Sequence, residues 1–312
     1  MYAGAMQSTV AMARLGAYEE SALLREAGLL LEAIGFRPAP GSLVLLKPNL
    51  VSGTNAGLST THPLVVRVAC RLVLDYGARV VVADSPAFGS AESVAGQSGL
   101  VEALRGLPVK LTTLCNPRRL PLRLGGSLGL ASLALEADAI LNLPKFKAHN
   151  QMRVSAAVKN LFGCVVGCRK AIAHARWGDH GNRFESALMD VAQALLPKTV
   201  HLLDGITAMH VRGPMKGDPY PLGMLAASVD GVALDTAMYG LLGLRPEDVP
   251  LWAEALRRGA PGAELSSLAY SLAQPADFDF SGFVIPEVLD VQTFHPYRLI
   301  RGRLRSLCAR FL

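Results

Sequence analysis

Apolar residues along this chain fall into two arrangements. Some form unbroken runs of about 4–8 residues, as in strands covered on both faces; others recur at spacings of three and four, as on one face of a helix. Residues 9–14, 43–46, 79–83, 109–114, 139–143, 199–203 and 225–229 are runs of the first kind. Stretches of the second kind lie between them. In 19–35, Leu23, Leu24, Ala27, Leu30, Leu31 and Ile34 share a face, and Gly35 supplies the stop. Residues 64–76 follow Pro63 and end at Gly77, and 184–196 end before Pro197. Helices are also predicted over 128–136, 233–242 and 246–258, with a short helix or turn over 100–107. Asp235 falls in the first turn of 233–242, where a carboxylate suits the helix dipole. Residues 49–62, 86–99 and 210–221 read as loops, 116–126 as irregular, and 278–291 as one or two edge strands.

Strands alternating with helices predict an α/β fold, a mainly parallel sheet with helices on both faces. Two α/β lobes around one cleft are a variant of the same pattern. No linker marks an internal boundary, so residues 1–292 are taken as one core with one inter-lobe site, and 293–312 as a basic amphipathic tail. In the tail, Ile300, Leu304, Leu307 and Phe311 share a face, while Arg301, Arg305 and Arg310 lie mostly elsewhere.

In mainly parallel sheets, ligands bind at the carboxyl ends of the strands. Here those ends carry Lys47 and Asn49, Asp84 and Ser85, Lys145, Lys147 and His149, Asp204, and Asp230. Residues 139–170 concentrate the signal, because Lys159-Asn160 and Arg169-Lys170 follow within the same stretch. Cations beside a buried strand cost desolvation energy unless an anion or hydrogen-bond partners compensate. Lys145, Lys147 and Lys159 are therefore expected to hold a carboxylate or phosphate, with Lys47, Asn49, His62, Asp84, Ser85, Asn160 and Asp204 as further binding residues. His149, crowded by cations, is expected to stay neutral and to accept a proton, with Lys145 and Lys159 beside it as catalytic candidates. The plainer alternatives are a solvated loop after 139–143, a helix-capping role for His62, and a turn at each Asp-Gly pair.

Composition narrows the partners. The chain has a net charge of +6, which favours anions, but only 6% aromatic residues, so nucleic acid is not expected. Cysteines at 70, 115, 164, 168 and 308 are odd in number and irregular in spacing, which argues against a disulfide scaffold. With no signal-peptide pattern and no long apolar run, a cytoplasmic location is expected. Cys164 and Cys168, with His174, are the candidate metal ligands, although two thiols do not fill a tetrahedral site. The Gly-x-Gly-x-x-Gly, P-loop and Gly-x-Ser-x-Gly motifs are absent.

The segments LLKPNLVSG, THPLVV, GARVVVADSP, EADAILNLPKFKAH, AAVKNLFGCVVG and VDGVALD resemble family 362 of the domains of unknown function, in order over roughly residues 10–286. The resemblance implies a link to an iron–sulfur or other metal centre, because many members append a ferredoxin-like segment. This chain has no C-x-x-C-x-x-C run to hold such a cluster. More distantly, His149, Lys159 and the turn at 163–167 are similar in layout to the lactate racemase family. There the histidine contacts a nickel-pincer nucleotide and the lysine anchors it. Ala156-Ala157-Val158 stands where that family has a double glycine before the lysine.

Two function classes follow. One is an enzyme of isomerase, racemase or redox type acting on a small anion. The other is a metal- or iron–sulfur-linked redox or cofactor-handling accessory with a redox partner. Metal and sulfur analysis of chain purified without oxygen separates them. The apolar face of 297–312 is expected to dock on the core or on a second copy in a homo-oligomer; the rival is peripheral contact with an anionic membrane through its arginines. In flotation with anionic vesicles, docking leaves the chain unbound. Binding that disappears when 297–312 is deleted assigns the tail to the membrane.

Overall fold

The computed structural model describes residues 7–289, apart from 88, 168–169, 171–172, 174–176 and 178–180. In chain order, the first half contains β1 (Ser8–Arg14), α1 (Glu20–Ala33), β2 (Leu43–Pro48), α2 (Ala56–Ser59), α3 (Pro63–Asp75), β3 (Arg79–Asp84), α4 (Ala91–Ser98), α5 (Leu100–Ala103) and β4 (Lys110–Thr113). A hairpin follows, β5 (Pro117–Pro121) and β6 (Ser127–Ala131), and then α6 (Ser132–Glu136). The second half contains β7 (Ala139–Leu143), β8 (Lys145–His149), β9 (Arg153–Ser155), α7 (Ala157–Leu161), α8 (Arg183–Leu195), β10 (Thr199–His210), β11 (Asp218–Tyr220), β12 (Met224–Ser228), α9 (Gly231–Leu241), α10 (Pro250–Arg257) and β13 (Leu268–Leu272).

Eleven strands form one sheet, whose main path runs β13-β1-β12-β10-β7-β2-β3-β4. Neighbours on this path are parallel except β1–β12 and β12–β10. The fold is therefore the expected α/β fold with a mainly parallel sheet. Alternating side chains feed two opposite cores. Val44 and Leu46 pack with α1 and α3, whereas Leu45 packs with Leu161, Phe184 and Leu188 on the α7–α8 side. A third core joins Met12, Phe146, Leu203 and Met238. No helix among the described residues is long and apolar enough to cross a membrane.

Several expectations are corrected. Residues 145–149 are a fully buried strand rather than a loop: Phe146 and Ala148 enter the third core, and Lys145, Lys147 and His149 take the alternate positions. β10 does not stop at 203 but continues through Asp204 and Gly205 to His210, with a register shift against β8 between Asp204 and Met209. Residues 117–131 pair as a hairpin, so the helix expected over 128–136 shrinks to Ser132–Glu136. The loop expected over 86–99 contains α4, capped by Ser90 and ended by Gly99 at φ 82°. The edge strand is β13, parallel to β1, and 278–289 contain no strand. The tail at 293–312 lies outside the described residues.

Asp235 is also reassigned. Asp230 caps α9 through its own carboxylate, which accepts from Val232 N and Ala233 N. Asp235 faces a different helix and accepts from Ala157 N at 2.6 Å and Val158 N at 3.1 Å. α7 has no side-chain cap from the residue before it, so a carboxylate on α9 anchors its start. Burial raises that carboxyl group to about pH 7. Asp235→Ala leaves two buried N–H groups unmade, at about 1–3 kcal/mol each. Urea unfolding is expected to show a loss of about 2–6 kcal/mol.

Candidate functional site

Along the sheet path, β2, β3 and β4 run one way from the centre, and β7 and β10 run the other. The switch point lies between β2 and β7, where Lys47 pairs in register with Asn142. A crevice beyond the strand ends is expected there, and the charged residues gather there.

Lys47 leaves the end of β2 and places its Nζ 2.9 Å from Asp84 Oδ1 at the end of β3. The Asp84 carboxylate also accepts from Leu50 N and Ser85 N, both at 2.8 Å. Lys47 further reaches Pro48 O at 3.1 Å and Asn160 Oδ1 at 3.4 Å. Asn49 donates to the same Asn160 oxygen at 2.7 Å, and Asn160 donates to Asn142 Oδ1 at 2.8 Å. Lys147 donates to Asn49 Oδ1 and to Ser59 O. Asn49 N is held by the Thr61 hydroxyl, which in turn donates to Leu143 O. The backbone of 163 lies so close to this ion pair that a Cβ there would collide with Asp84 Oδ1 and Lys47 Nζ, so the position requires glycine.

A second ion pair stands beside the first. Lys145 Nζ lies 2.9 Å from Asp204 Oδ2, and both side chains are buried. Tyr18 donates its hydroxyl to Asp204 Oδ1 at 2.8 Å and accepts from Lys145 at 2.8 Å. His62 N donates to Asp204 Oδ2 at 2.9 Å, and its ring stacks on Tyr18 at 3.6 Å. His62 Nδ1 accepts from Leu64 N, so this histidine does cap α3. Burial, helped by Lys145 and opposed by Asp204, lowers its pKa. Burial and Asp204 push the Tyr18 phenol well above its ordinary range.

Three further amines, Lys147, Lys159 and Lys170, form no salt bridge with a carboxylate among the described residues. Lys159 Nζ hydrogen-bonds nothing there and lies over the rings of Phe162 and Phe184, 5.1 and 5.6 Å from their centres. Burial, then Lys170 and Lys47, lower its pKa to about 8. Lys170 donates to Ser85 O, and burial brings its pKa to about 8 as well, with Asp84 opposing and Lys47 assisting. Burial also lowers Lys147, assisted by Lys159, Lys145 and Lys47 and opposed by Asp84. That mutual influence puts Lys47, Lys145, Lys147 and Lys159 in one electrostatic neighbourhood, as the strand-end pattern anticipates.

His149 is buried, and its Nδ1 accepts from Gln151 N at 3.1 Å and Met152 N at 3.3 Å. A nitrogen that accepts carries no proton, so this geometry suits a neutral imidazole protonated at Nε2. The neighbouring Gln151 side chain is buried with neither its oxygen nor its nitrogen hydrogen-bonded. Ser85 Oγ accepts from Gly167 N at 3.3 Å.

The metal candidates find less support. Cys164 is buried, and burial raises its thiol to about 12, against the thiolate a metal needs. Cys168 and His174 lie outside the described residues, among which no three His, Cys, Asp or Glu side chains could hold an ion. A separate hollow lined by Leu122, Trp177, Arg183 and Asp190, among others, shares no residue with the lysine cluster.

Sequence reasoning missed Tyr18, Asn142 and Gln151 as site residues, and left Lys170 out of the binding set. Asn142, a polar residue inside an apolar run, was a readable signal; Tyr18 reaches the site only through the fold.

Residues 44–240 match the family described as Domain of unknown function (DUF362). The thylakoid-associated protein sll1697 of Synechocystis sp. is 36% identical over 312 residues, covering 98% of this chain and 97% of that protein. Among solved structures, the lactate racemase apoprotein of Thermoanaerobacterium thermosaccharolyticum aligns over 74% of this chain and 56% of its own, with TM-score 0.48 and 16% identity. A Thermotoga maritima protein aligns over 70% of this chain and 57% of its own, with TM-score 0.45 and 14% identity. The chain thus spans just over half the length of those two structures.

The Lys145–Asp204 pair has a testable energetic signature. Removing one partner of a buried pair costs about 3–5 kcal/mol, because the other charge stays buried and uncompensated. Asp204→Leu is expected to show that loss in urea unfolding. The double variant Lys145→Met/Asp204→Leu is expected to recover part of it.

Proposed function

The chain belongs to the domain of unknown function 362 family, and we propose that it is an enzyme that binds a small anion at the carboxyl ends of its strands and moves a proton there. The anion is a substrate or cofactor bearing carboxylate or phosphate. One observation carries this proposal: three buried or half-buried lysines, Lys147, Lys159 and Lys170, gather near the switch point with no salt bridge to a carboxylate among the described residues, although Asp84, already paired with Lys47, lies near Lys147 and Lys170. Two neighbouring lysines already consume Asp84 and Asp204. A bound anion supplies the missing counter-charge.

In this proposal Lys147, Lys159 and Lys170 hold the anion as point charges, and Asn49 and Asn160 add directional hydrogen bonds. His149, with an accepting Nδ1, belongs to the same strand face as Lys145 and Lys147. With Nδ1 occupied by Gln151 N and Met152 N, its Nε2–H is the group proposed to hydrogen-bond the ligand. Lys159, lowered to about 8, is the group proposed to take the proton, and the nearby lysines stabilise negative charge that develops there. Gln151 offers a donor and an acceptor that nothing else uses. A metal- or iron–sulfur-linked accessory role would rest on Cys164, Cys168 and His174. The neutral, buried Cys164 thiol does not favour it, and no step is routed through such a centre.

The test is proton–deuterium exchange at the carbon beside the acidic group, followed by NMR in D2O for a panel of small carboxylates and phosphate esters, with binding measured in parallel. Lys159→Met is expected to weaken binding roughly tenfold or more. His149→Gln is expected to keep binding and lose exchange. If both variants bind and exchange as the parent does, the site assignment is wrong.

A further inference from the structure

The lysines at the strand ends are not equivalent. Lys47 and Lys145 each hold an aspartate oxygen at 2.9 Å. Lys147 spends its donors on two uncharged oxygens, Asn49 Oδ1 and Ser59 O. Lys170 likewise donates to two backbone carbonyls, Ser85 O and Pro86 O. Lys159 has only the faces of Phe162 and Phe184. Three of them, Lys170, Lys47 and Lys147, lie on one connected path. Lys170 touches Ser85, Ser85 touches Asp84, Asp84 touches Lys47, Lys47 touches Asn160, and Asn160 leads through Asn49 to Lys147.

A buried ammonium loses several kcal/mol of hydration. A ring face or a neutral carbonyl returns only part of that loss. Neither closes the gap, so without a ligand these amines lose protons easily. Burial and neighbouring lysines bring Lys159 and Lys170 down to about 8, and burial likewise lowers Lys147.

We infer that the ligand of this site carries two or more negative charges on a phosphate or diphosphate group, and that its binding draws protons onto Lys147, Lys159 and Lys170. The inference rests on the proposed anion site and narrows its ligand. A monocarboxylate cancels one of three positive charges and leaves two buried; a phosphate ester or diphosphate cancels two or three. The donors point the same way. Lysines present point charges that suit tetrahedral oxygens, whereas arginine presents the planar fork that suits a carboxylate. The connected path contains no arginine among the described residues.

The sign of the linkage follows. A bound anion raises the amine pKa values, so protons are taken up where the free amine is neutral and the bound one charged. For Lys159 and Lys170 that window opens near their free values of about 8 and extends upward. Well below it both are already protonated, and their uptake falls away. Well above it affinity declines with pH, because each proton must be supplied against a rising cost. The charges facing Lys147 are Lys145 on its own strand, Lys159 on α7, Lys47 on β2 and Asp84 on β3. Those facing Lys159 are Lys170 and Lys47, and those facing Lys170 are Asp84, Lys47 and the Cys164 thiol.

The experiment is titration calorimetry of the full chain with acetate, malonate, inorganic phosphate and pyrophosphate at a pH of about 8.5, in two buffers of different ionisation enthalpy. Pyrophosphate is expected to bind roughly tenfold or more tightly than acetate, and more tightly than malonate. Its heat is expected to differ between buffers by the amount for about one proton or more taken up. Lys159→Met and Lys170→Met are each expected to reduce that uptake and weaken pyrophosphate. Melting curves of the unliganded variants, at or above the parent's, would show that folding is intact. Acetate binding as tightly as pyrophosphate, or heats that do not depend on buffer, overturns the inference while leaving an anion site standing. Malonate matching pyrophosphate overturns the phosphate preference. If none of the anions binds, the inference and the proposed function both fall.

Discussion

Positive charge buried at the ends of parallel strands is the constraint on which the rest of this structure depends. Removing an ammonium from water costs several kcal/mol, and the fold meets that cost differently at each lysine. At Lys47 and Lys145 it places a carboxylate at 2.9 Å and then surrounds that carboxylate with donors. Asp84 receives Leu50 N and Ser85 N, and Asp204 receives Tyr18 and His62 N. At Lys147 it uses neutral oxygens, and at Lys159 ring faces. The gradient from full to partial compensation separates the lysines that support the site from those left to meet a ligand.

The scaffold delivers these groups through topology more than through local preference. β2 and β7 are neighbours although β3 to β6 intervene in sequence, which puts the switch point between them. β8 then turns alternation to use. One set of its side chains fills the third core, while the other carries Lys145, Lys147 and His149. α7 is short and has no side-chain cap from its preceding residue, yet Lys159 and Asn160 must be aimed accurately. Asp235 on α9 fixes its start from across the interface.

Most strand positions were legible because continuous apolar runs bounded by Gly and Pro leave few alternatives. The α/β class and the convergence of Lys47, Asp84, Lys145 and Asp204 followed from strand ends alone. What was not legible depended on distant partners. Lys145–His149 contains three polar side chains, and only the core waiting behind Phe146 and Ala148 makes it a strand. Asp235 reads as a helix-start residue until α7 is packed against it. The 117–131 hairpin, rich in arginine, lacks the apolar alternation that marks paired strands, because its first strand is largely exposed. His62 shows the limit from the other side. The sequence allowed both a capping and a binding role, and in the fold its Nδ1 caps α3 while its backbone N–H holds Asp204.

The hydrogen bond from Tyr18 to Asp204 joins residues 186 positions apart. Contacts of such long sequence separation form late, because the chain between them must be ordered first. During synthesis the segment bearing Tyr18 leaves the ribosome long before β10 exists, and Lys145 precedes its aspartate by 59 residues. For that interval Lys145 belongs in water and the crevice is unmade. The Lys145–Asp204 pair therefore exists only on a chain folded through β10. A ligand of the proposed anion site would, by mass action, stabilise the finished chain over every partly folded predecessor.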